Sequence, residues 1–166
     1  MKARVMAAMS GGVDSAVAAF LLKGQGFTVT GVTMCLGVEV KGTGKIRCCG
    51  PQEIEDARRV CESLGIGHYV LDFAPDLKDF VIDPFLSEYG KGRTPNPCIE
   101  CNRHIKFGSL LRKALAMGFD YLATGHYAGI QRSNGYYRLV MPKDARKDQT
   151  YFLYERQYGS FSRSFS

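Results

Sequence analysis

No apolar run in this chain is long. The longest, Ala16–Leu22, spans seven residues, whereas a membrane-spanning helix needs about 20, so a transmembrane protein is excluded. The opening Met-Lys-Ala-Arg-Val-Met carries two charges, but the apolar stretch ahead of Ser10-Gly11-Gly12 is too short for a secretory signal. A cytoplasmic location is expected. Two familiar phosphate signatures are missing as well. A Walker loop ends in Gly-Lys-Ser/Thr, but Gly44-Lys45 is followed by Ile46, and Glu39 stands where the first glycine belongs. The dinucleotide fingerprint fails because Gly24-Gln25-Gly26 runs into Phe27, Thr28 and Val29. These absences disfavour Walker-type γ-phosphate transfer and hydride transfer on a dinucleotide. A second Cys-x-x-Cys at zinc-site spacing is also lacking, since Cys48 and Cys49 are adjacent.

What is present fits one globular unit. The chain has 166 residues, and roughly 150 make a domain. A 45% hydrophobic fraction can fill a core, and 23% charged residues argue against global disorder. Net charge is +6, unevenly spread. Glu53–Gly90 holds nine acids and three bases, Lys91–Lys113 six bases and one acid, and Arg132–Ser166 seven bases and three acids. A basic second half suggests a polyanionic partner, nucleic acid first, although a solvated basic face has the same composition. Six cysteines in a cytosolic chain point to metal or redox chemistry rather than structural disulfides.

The pattern predicts alternating strands and helices. Arg4–Met9 reads as a buried strand. Asp14–Gln25 reads as a helix with Val17, Phe20, Leu21 and Leu22 on its repeat. Phe27–Met34 and His68–Phe73 read as strands, and Gln52–Leu64 as a helix stopped by Gly65. Gly37–Gly50 reads as a loop. Leu77–Tyr89 reads as a helix that Pro84 should kink or split. Ile105–Met117 reads as a helix, Tyr121–Gly125 as a fourth strand, and Gly129–Val140 as a hairpin turning at Asn134-Gly135. Such alternation implies an α/β parallel sheet of about four or five strands with helices on both faces, a Rossmann-like three-layer fold. The domain is expected to run over residues 1–153. Residues 154–166 form an atypical tail, expected to mark truncation or a frame shift.

Ser10-Gly11-Gly12-Val13-Asp14-Ser15 lies between the first strand and the first helix. A helix N-terminus offers unpaired N–H groups and a positive dipole end. Glycines admit an anion close to the backbone. Ser10 and Ser15 add hydroxyls, and Asp14 could hold a metal ion accompanying phosphates. A capped strand-to-helix turn is the plain alternative.

A second constellation is Gly92-Arg93-Thr94-Pro95-Asn96-Pro97-Cys98-Ile99-Glu100-Cys101-Asn102. Its prolines stiffen the approach to two thiols. If Cys101 opens the helix running to Met117, the helix dipole with Arg103, His104 and Lys106 would favour thiolate and suit a nucleophile; a buried, inert thiol is the alternative. Ala123-Thr124-Gly125-His126-Tyr127 ends the fourth strand at the carboxyl edge, where open parallel sheets bind ligands. Lys147-Asp148-Gln149-Thr150-Tyr151-Phe152-Leu153 mixes a base, an acid and an amide before two aromatics, and Asp148 could simply cap.

The hexapeptide resembles the pyrophosphate (PP) loop of the ATP pyrophosphatase superfamily, of adenine nucleotide alpha hydrolase-like fold. With the other three motifs in order, nearly the whole chain resembles the tRNA-specific 2-thiouridylases. That resemblance implies ATP with Mg²⁺, and a sulfurtransferase that adenylates O2 of the wobble uridine before sulfur replaces the oxygen. It implies ATP contacts from Ala8, Met9, Ser10, Gly11, Gly12, Val13, Asp14, Ser15, Met34 and Gly125. It implies tRNA contacts from Asn96, Pro97, Cys98, Lys147, Asp148 and Gln149, with Cys101 as nucleophile. Family members with cysteine at the position of Cys98 are associated with a [4Fe–4S] cluster, which Cys98, Cys101 and a third cysteine not supplied by this chain would hold. Partners would be tRNA and a sulfur donor protein or sulfide, with no membrane; no oligomeric state is assigned. The resemblance also implies a second essential cysteine and β-rich domains downstream, so this chain is expected to bind ATP and fall short of full activity. The alternatives are another adenylating amidotransferase or ligase of the superfamily, or a non-catalytic ATP- or RNA-binding module.

Overall fold

A computed structural model describes residues 2–39, 46–47, 51–134, 136–154 and 164–165. Its centre is β1 (Arg4–Ala8). β1 is apolar and short, and Val5, Met6 and Ala7 are fully buried, as a strand covered on both faces requires. It pairs in parallel with β2 (Thr28–Cys35) on one side and β6 (Tyr121–Ala123) on the other, Val5 facing Val29 and Tyr121. β5 (His68–Asp72) extends the sheet beyond β2, and β9 (Ser164–Phe165) pairs with β6, giving the order β5-β2-β1-β6-β9. The expected parallel α/β sheet is therefore present.

Alternation along the strands builds two cores. Val5, Ala7, Val29 and Ala123 face α1 (Val13–Gly24) and α2 (Pro51–Ser63), meeting Ala19, Leu22, Ala57 and Cys61. Met6, Val32 and Leu122 face the opposite layer and meet Val81, Ile105, Leu110 and Leu153. Each large side chain so buried contributes about 1.5–3 kcal/mol. α2 ends as the sequence predicts. Gly65 adopts φ +59°, its N–H donates to the Glu62 carbonyl, and the Ile66 N–H reaches back to the Cys61 carbonyl at 2.9 Å.

Three expectations need correction. On α1 the buried positions are Ser15, Ala19 and Leu22, while Val17, Phe20 and Leu21 are 47–60% exposed. The helix rests on the sheet through its small residues, so its bulky ones face outward. The Leu77–Tyr89 helix is one helical run from Ala74 to Gly90: α3 (Ala74–Leu77), a π-helical turn (Lys78–Ile82) and α4 (Asp83–Gly90). The wide turn falls just before Pro84, where the missing N–H interrupts the ladder anyway. Cys35 is disulfide-bonded, contrary to the expectation from compartment.

The Ile105–Met117 helix starts earlier, as α5 (Pro97–Glu100), and continues through a π-helical segment, Cys101–Leu110, into α6 (Leu111–Ala116). The expected hairpin is β7 (Gly129–Ser133) and β8 (Tyr136–Val140), with Asn134 at φ 49° in its turn. The expected Gly37–Gly50 loop contains a short antiparallel pair, β3 (Val38–Glu39) and β4 (Ile46–Arg47); the rest of that loop beyond Val38, like residues 155–163 of the tail, lies outside the described residues. Among the described residues no helix is long and apolar enough to cross a membrane.

Candidate active site

The loop after β1 is held by its own hydroxyls. The Ser10 N–H donates to Ser15 Oγ at 3.2 Å, and Ser15 Oγ–H donates to the Gly12 carbonyl at 2.9 Å. The Gly12 N–H donates to Ser10 Oγ at 3.3 Å. Thr33 Oγ1–H donates to the Met9 carbonyl, and the Met9 N–H to that of Val32, fixing the loop's entry to β2. Gly12 stands at the N-cap of α1 without a side-chain cap bond, so the first turn's N–H groups are left for an anion. Gly11 sits at φ +80°, and a Cβ there would lie 2.7 Å from the Glu53 carbonyl oxygen at the start of α2. At the exit of β6, a Cβ on Gly125 would lie 2.8 Å from the Ser15 nitrogen. The loop is thus a backbone cradle closed on two sides by backbone.

A cavity of about 420 Å³ opens above this cradle at the carboxyl ends of β1, β2 and β6. Of the residues the sequence nominated for ATP, Ala8, Met9, Ser10, Asp14, Ser15, Met34 and Gly125 line it. Gly11 and Gly12 shape the loop behind it. Val13 instead points outward, 72% exposed, beside a neighbouring cavity along α1. Gln149 enters the lining from the Lys147–Gln149 segment. Its Oε1 accepts the Tyr127 N–H at 2.8 Å, and its own N–H donates to the Tyr127 carbonyl. Val32, Leu36, Glu53 and Lys106 line the cavity too and carry no motif signal. Lys106 follows Cys101 at a spacing that an ordinary helix would carry to a different face.

Asp14 looks across to Tyr127, whose hydroxyl donates to Asp14 Oδ1 at 2.6 Å. Lys147 Nζ donates to the Tyr127 oxygen at 3.1 Å and lies over its ring at 4.5 Å. That bond, then the Tyr127 and Asp14 charges, holds the ammonium above its ordinary pKa. Asp148 is spent locally, accepting the Thr150 N–H and hydroxyl at 3.0 Å each.

The cysteine loop shows what its residue types do. Asn96 Oδ1 accepts the Cys98 N–H at 3.0 Å, capping a helix that opens on Pro97. Cys98 is exposed; Cys101 is partly buried and packs against the core. The expectation of a thiolate at the helix start is corrected here. The helix begins four residues earlier, so Cys101 stands past its first turn. Burial pushes its thiol up, Lys106 pulls it down, and Cys98 adds to the rise. Asn102, next along, is buried and donates from Nδ2 to the Phe152 carbonyl at 3.0 Å, tying this helix to the segment after Gln149. Among the described residues no group of three His, Cys, Asp or Glu side chains is placed to hold a metal ion. Cys98 and Cys101 supply two thiols, short of a cluster's complement.

An open parallel sheet, an anion cradle at the end of its central strand and a cysteine-bearing helix across the cavity define a class: α/β domains that hold phosphates at the sheet's carboxyl edge. Within it, the chain belongs to the tRNA methyl transferase HUP domain family, whose model matches residues 3–164. It is 64% identical over 154 residues to a tRNA-specific 2-thiouridylase of Syntrophus aciditrophicus, covering 93% of this chain and 41% of that protein. It is 54% identical over 158 residues to one of Pelotomaculum thermopropionicum, covering 92% and 43%. The chain thus spans about two fifths of the length of the curated relatives it matches. A solved structure described as a predicted subunit of tRNA methyltransferase from Methanocaldococcus jannaschii superposes with TM-score 0.54 at 16% identity, over 99% of this chain and 67% of that one. It supports the fold alone. The resemblance drawn from the motifs is borne out.

Proposed function

We propose that this chain is the ATP-using part of a tRNA 2-thiouridylase. The observation that carries the reading is the single cavity that joins the anion cradle at Ser10–Ser15 to the helix bearing Cys98 and Cys101. In the reaction, uridine O2 forms a bond to the α-phosphorus as the α–β P–O bond breaks, and pyrophosphate leaves with the electron pair. The N3 proton departs on adenylation. Sulfur from a donor protein or from sulfide then forms C2–S as C2–O breaks and AMP leaves. The loop N–H groups stabilise charge on the phosphates. ATP would rest on Ser10–Ser15, with Met34 and Gly125 closing the walls, and Asp14 would hold Mg²⁺, which neutralises the leaving pyrophosphate. Where the donor is a protein persulfide, its outer sulfur would pass to Cys101 by thiol–persulfide exchange and form C2–S as AMP leaves. A thiol from the downstream portion would then cleave the S–S bond, forming a disulfide with Cys101 and freeing the thiolated base. Where the donor is sulfide, it would attack C2 directly and Cys101 would carry no sulfur. tRNA would be gripped by the Asn96–Cys98 end and by Lys147–Gln149, in the cytoplasm.

The cysteine pair favours sulfur chemistry over the methyl transfer in the family's name, because methyl transfer requires neither a phosphate cradle nor a pair of thiols on the helix that reaches the cavity through Lys106. A [4Fe–4S] cluster on Cys98 and Cys101 would need its third ligand from outside the described residues. Iron and broad visible absorbance after anaerobic purification support the cluster; a colourless, iron-free protein removes it.

The main test is pyrophosphate release from ATP by a protein containing this domain and the downstream portion of its relatives. Release that depends on unmodified tRNA supports the reading. Release that depends on an amine or amino acid makes it a ligase, and ATP binding without release makes it a binding module.

A further inference from the structure

Lys106 occupies a position that no motif assigns. It sits five residues after Cys101, inside the π-helical segment Cys101–Leu110. In an α-helix, five residues turn through about 500°, leaving the two side chains about 140° apart. An i→i+5 ladder winds more slowly, so residues five apart lie much closer round the axis. The wide helix therefore sets Lys106 on the same side as Cys101, and its side chain reaches the cavity above the Ser10–Ser15 cradle.

The surroundings suit a cation. Among the described residues lining the cavity, Lys106 is the one lysine or arginine, and Asp14 and Glu53 line the same cavity. Its Nζ is 3.3 Å from His126 Nε2. An ammonium only donates, so His126 Nε2 accepts. His126 Nδ1 must then carry the hydrogen, which it donates to Thr124 Oγ1 at 2.8 Å. The bond to His126 uses one of the three ammonium hydrogens. A polyphosphate entering this cavity meets N–H groups on one wall and that ammonium on the other.

We propose that Lys106 is the phosphate-binding cation of the cavity. The proposal rests on the ATP reading above and deepens it, because it names the side chain that meets the phosphates opposite the Ser10–Ser15 cradle. The test uses the 166-residue chain. Calorimetric titration with Mg-ATP, pyrophosphate and adenosine compares the natural protein with Lys106→Met and Lys106→Arg. Lys106→Met is expected to weaken ATP and pyrophosphate at least about tenfold, as loss of a charged hydrogen bond does, and to leave adenosine unchanged. Lys106→Arg restores most of the loss.

If Lys106→Met does not fold, Lys106→Gln takes its place. Unchanged ATP affinity, or equal losses for adenosine and ATP, overturns the phosphate role. Failure of the natural protein to bind ATP at all sinks the functional reading itself, whereas ATP binding that Lys106→Met leaves intact sinks the role of Lys106 alone.

Discussion

At Gly125 the chain has no room for a methyl group. An added Cβ would stand 2.8 Å from the Ser15 nitrogen and 3.0 Å from its Cα. Both neighbours are backbone, so neither can swing aside as a side-chain tip would. Gly125→Ala is expected to push β6 away from the cradle. Overpacking of this kind costs about 1–3 kcal/mol, and ATP affinity should fall alongside stability; a denaturant melt and a nucleotide titration on the same preparation measure both.

His68 offers a second test at this scale. Thr33 gives its one hydroxyl hydrogen to the Met9 carbonyl, so His68 Nε2 must donate to Thr33 Oγ1 across 2.9 Å. Burial, then Arg58, lowers the imidazole's pKa. The unfolded chain, with a pKa of about 6.5, therefore takes up a proton first as pH falls. The stability tied to neutral His68 is whole above about 6.5 and drains as pH drops through the folded value. Tm should decline between about pH 7 and pH 5, and His68→Gln should flatten that decline; equal slopes would remove the assignment.

Among the elements, the helix that carries both thiols depends on a single cap. Asn96 supplies it, and Pro97 follows at the first helical position. Asn96→Ala is expected to cost about 0.5–2 kcal/mol, while Asn96→Asp, also a good cap, should cost little; urea midpoints give the comparison. This residue shows how far the sequence reaches. The Asn-Pro pair is readable as the end of a loop, but its capping role emerges only with the 3.0 Å bond to the Cys98 N–H.

The buried strand β1 is legible because a two-face burial leaves a short apolar run. The hairpin is legible because Asn134 tolerates positive φ. The facing of α1 is not legible. Periodicity finds an apolar stripe, yet small residues at Ser15 and Ala19 allow the closer approach to the sheet and win the contact. The sequence offers Lys106 only as one of three bases near Cys101; its place in the cavity is not legible, because 3.6 residues per turn is assumed and the helix there is wider.

Over the whole molecule, charge counted along the chain differs from charge available to a polyanion. Lys91 and Arg93, two of the six bases in the Lys91–Lys113 block, both bond to the Glu88 carboxylate. Arg146 is likewise engaged by Asp144. Lys91, then Arg93, holds the Glu88 carboxyl below its ordinary pKa, so it stays ionised and keeps its grip at neutral pH. These pairs are exposed and individually weak, but they lie beside the loop that leads to Asn96 and the cysteines. On the proposed reading tRNA approaches there, and Glu88 acts as an internal competitor for its phosphates. Glu88→Gln should release both cations, tighten tRNA binding at low salt, and steepen the dependence of log K on log salt. Each additional phosphate contact adds about 0.7–0.9 to that slope. Filter binding across a salt series measures it. A slope unmoved by Glu88→Gln would mean that this loop does not meet the nucleic acid, and that the basic character of the second half acts elsewhere.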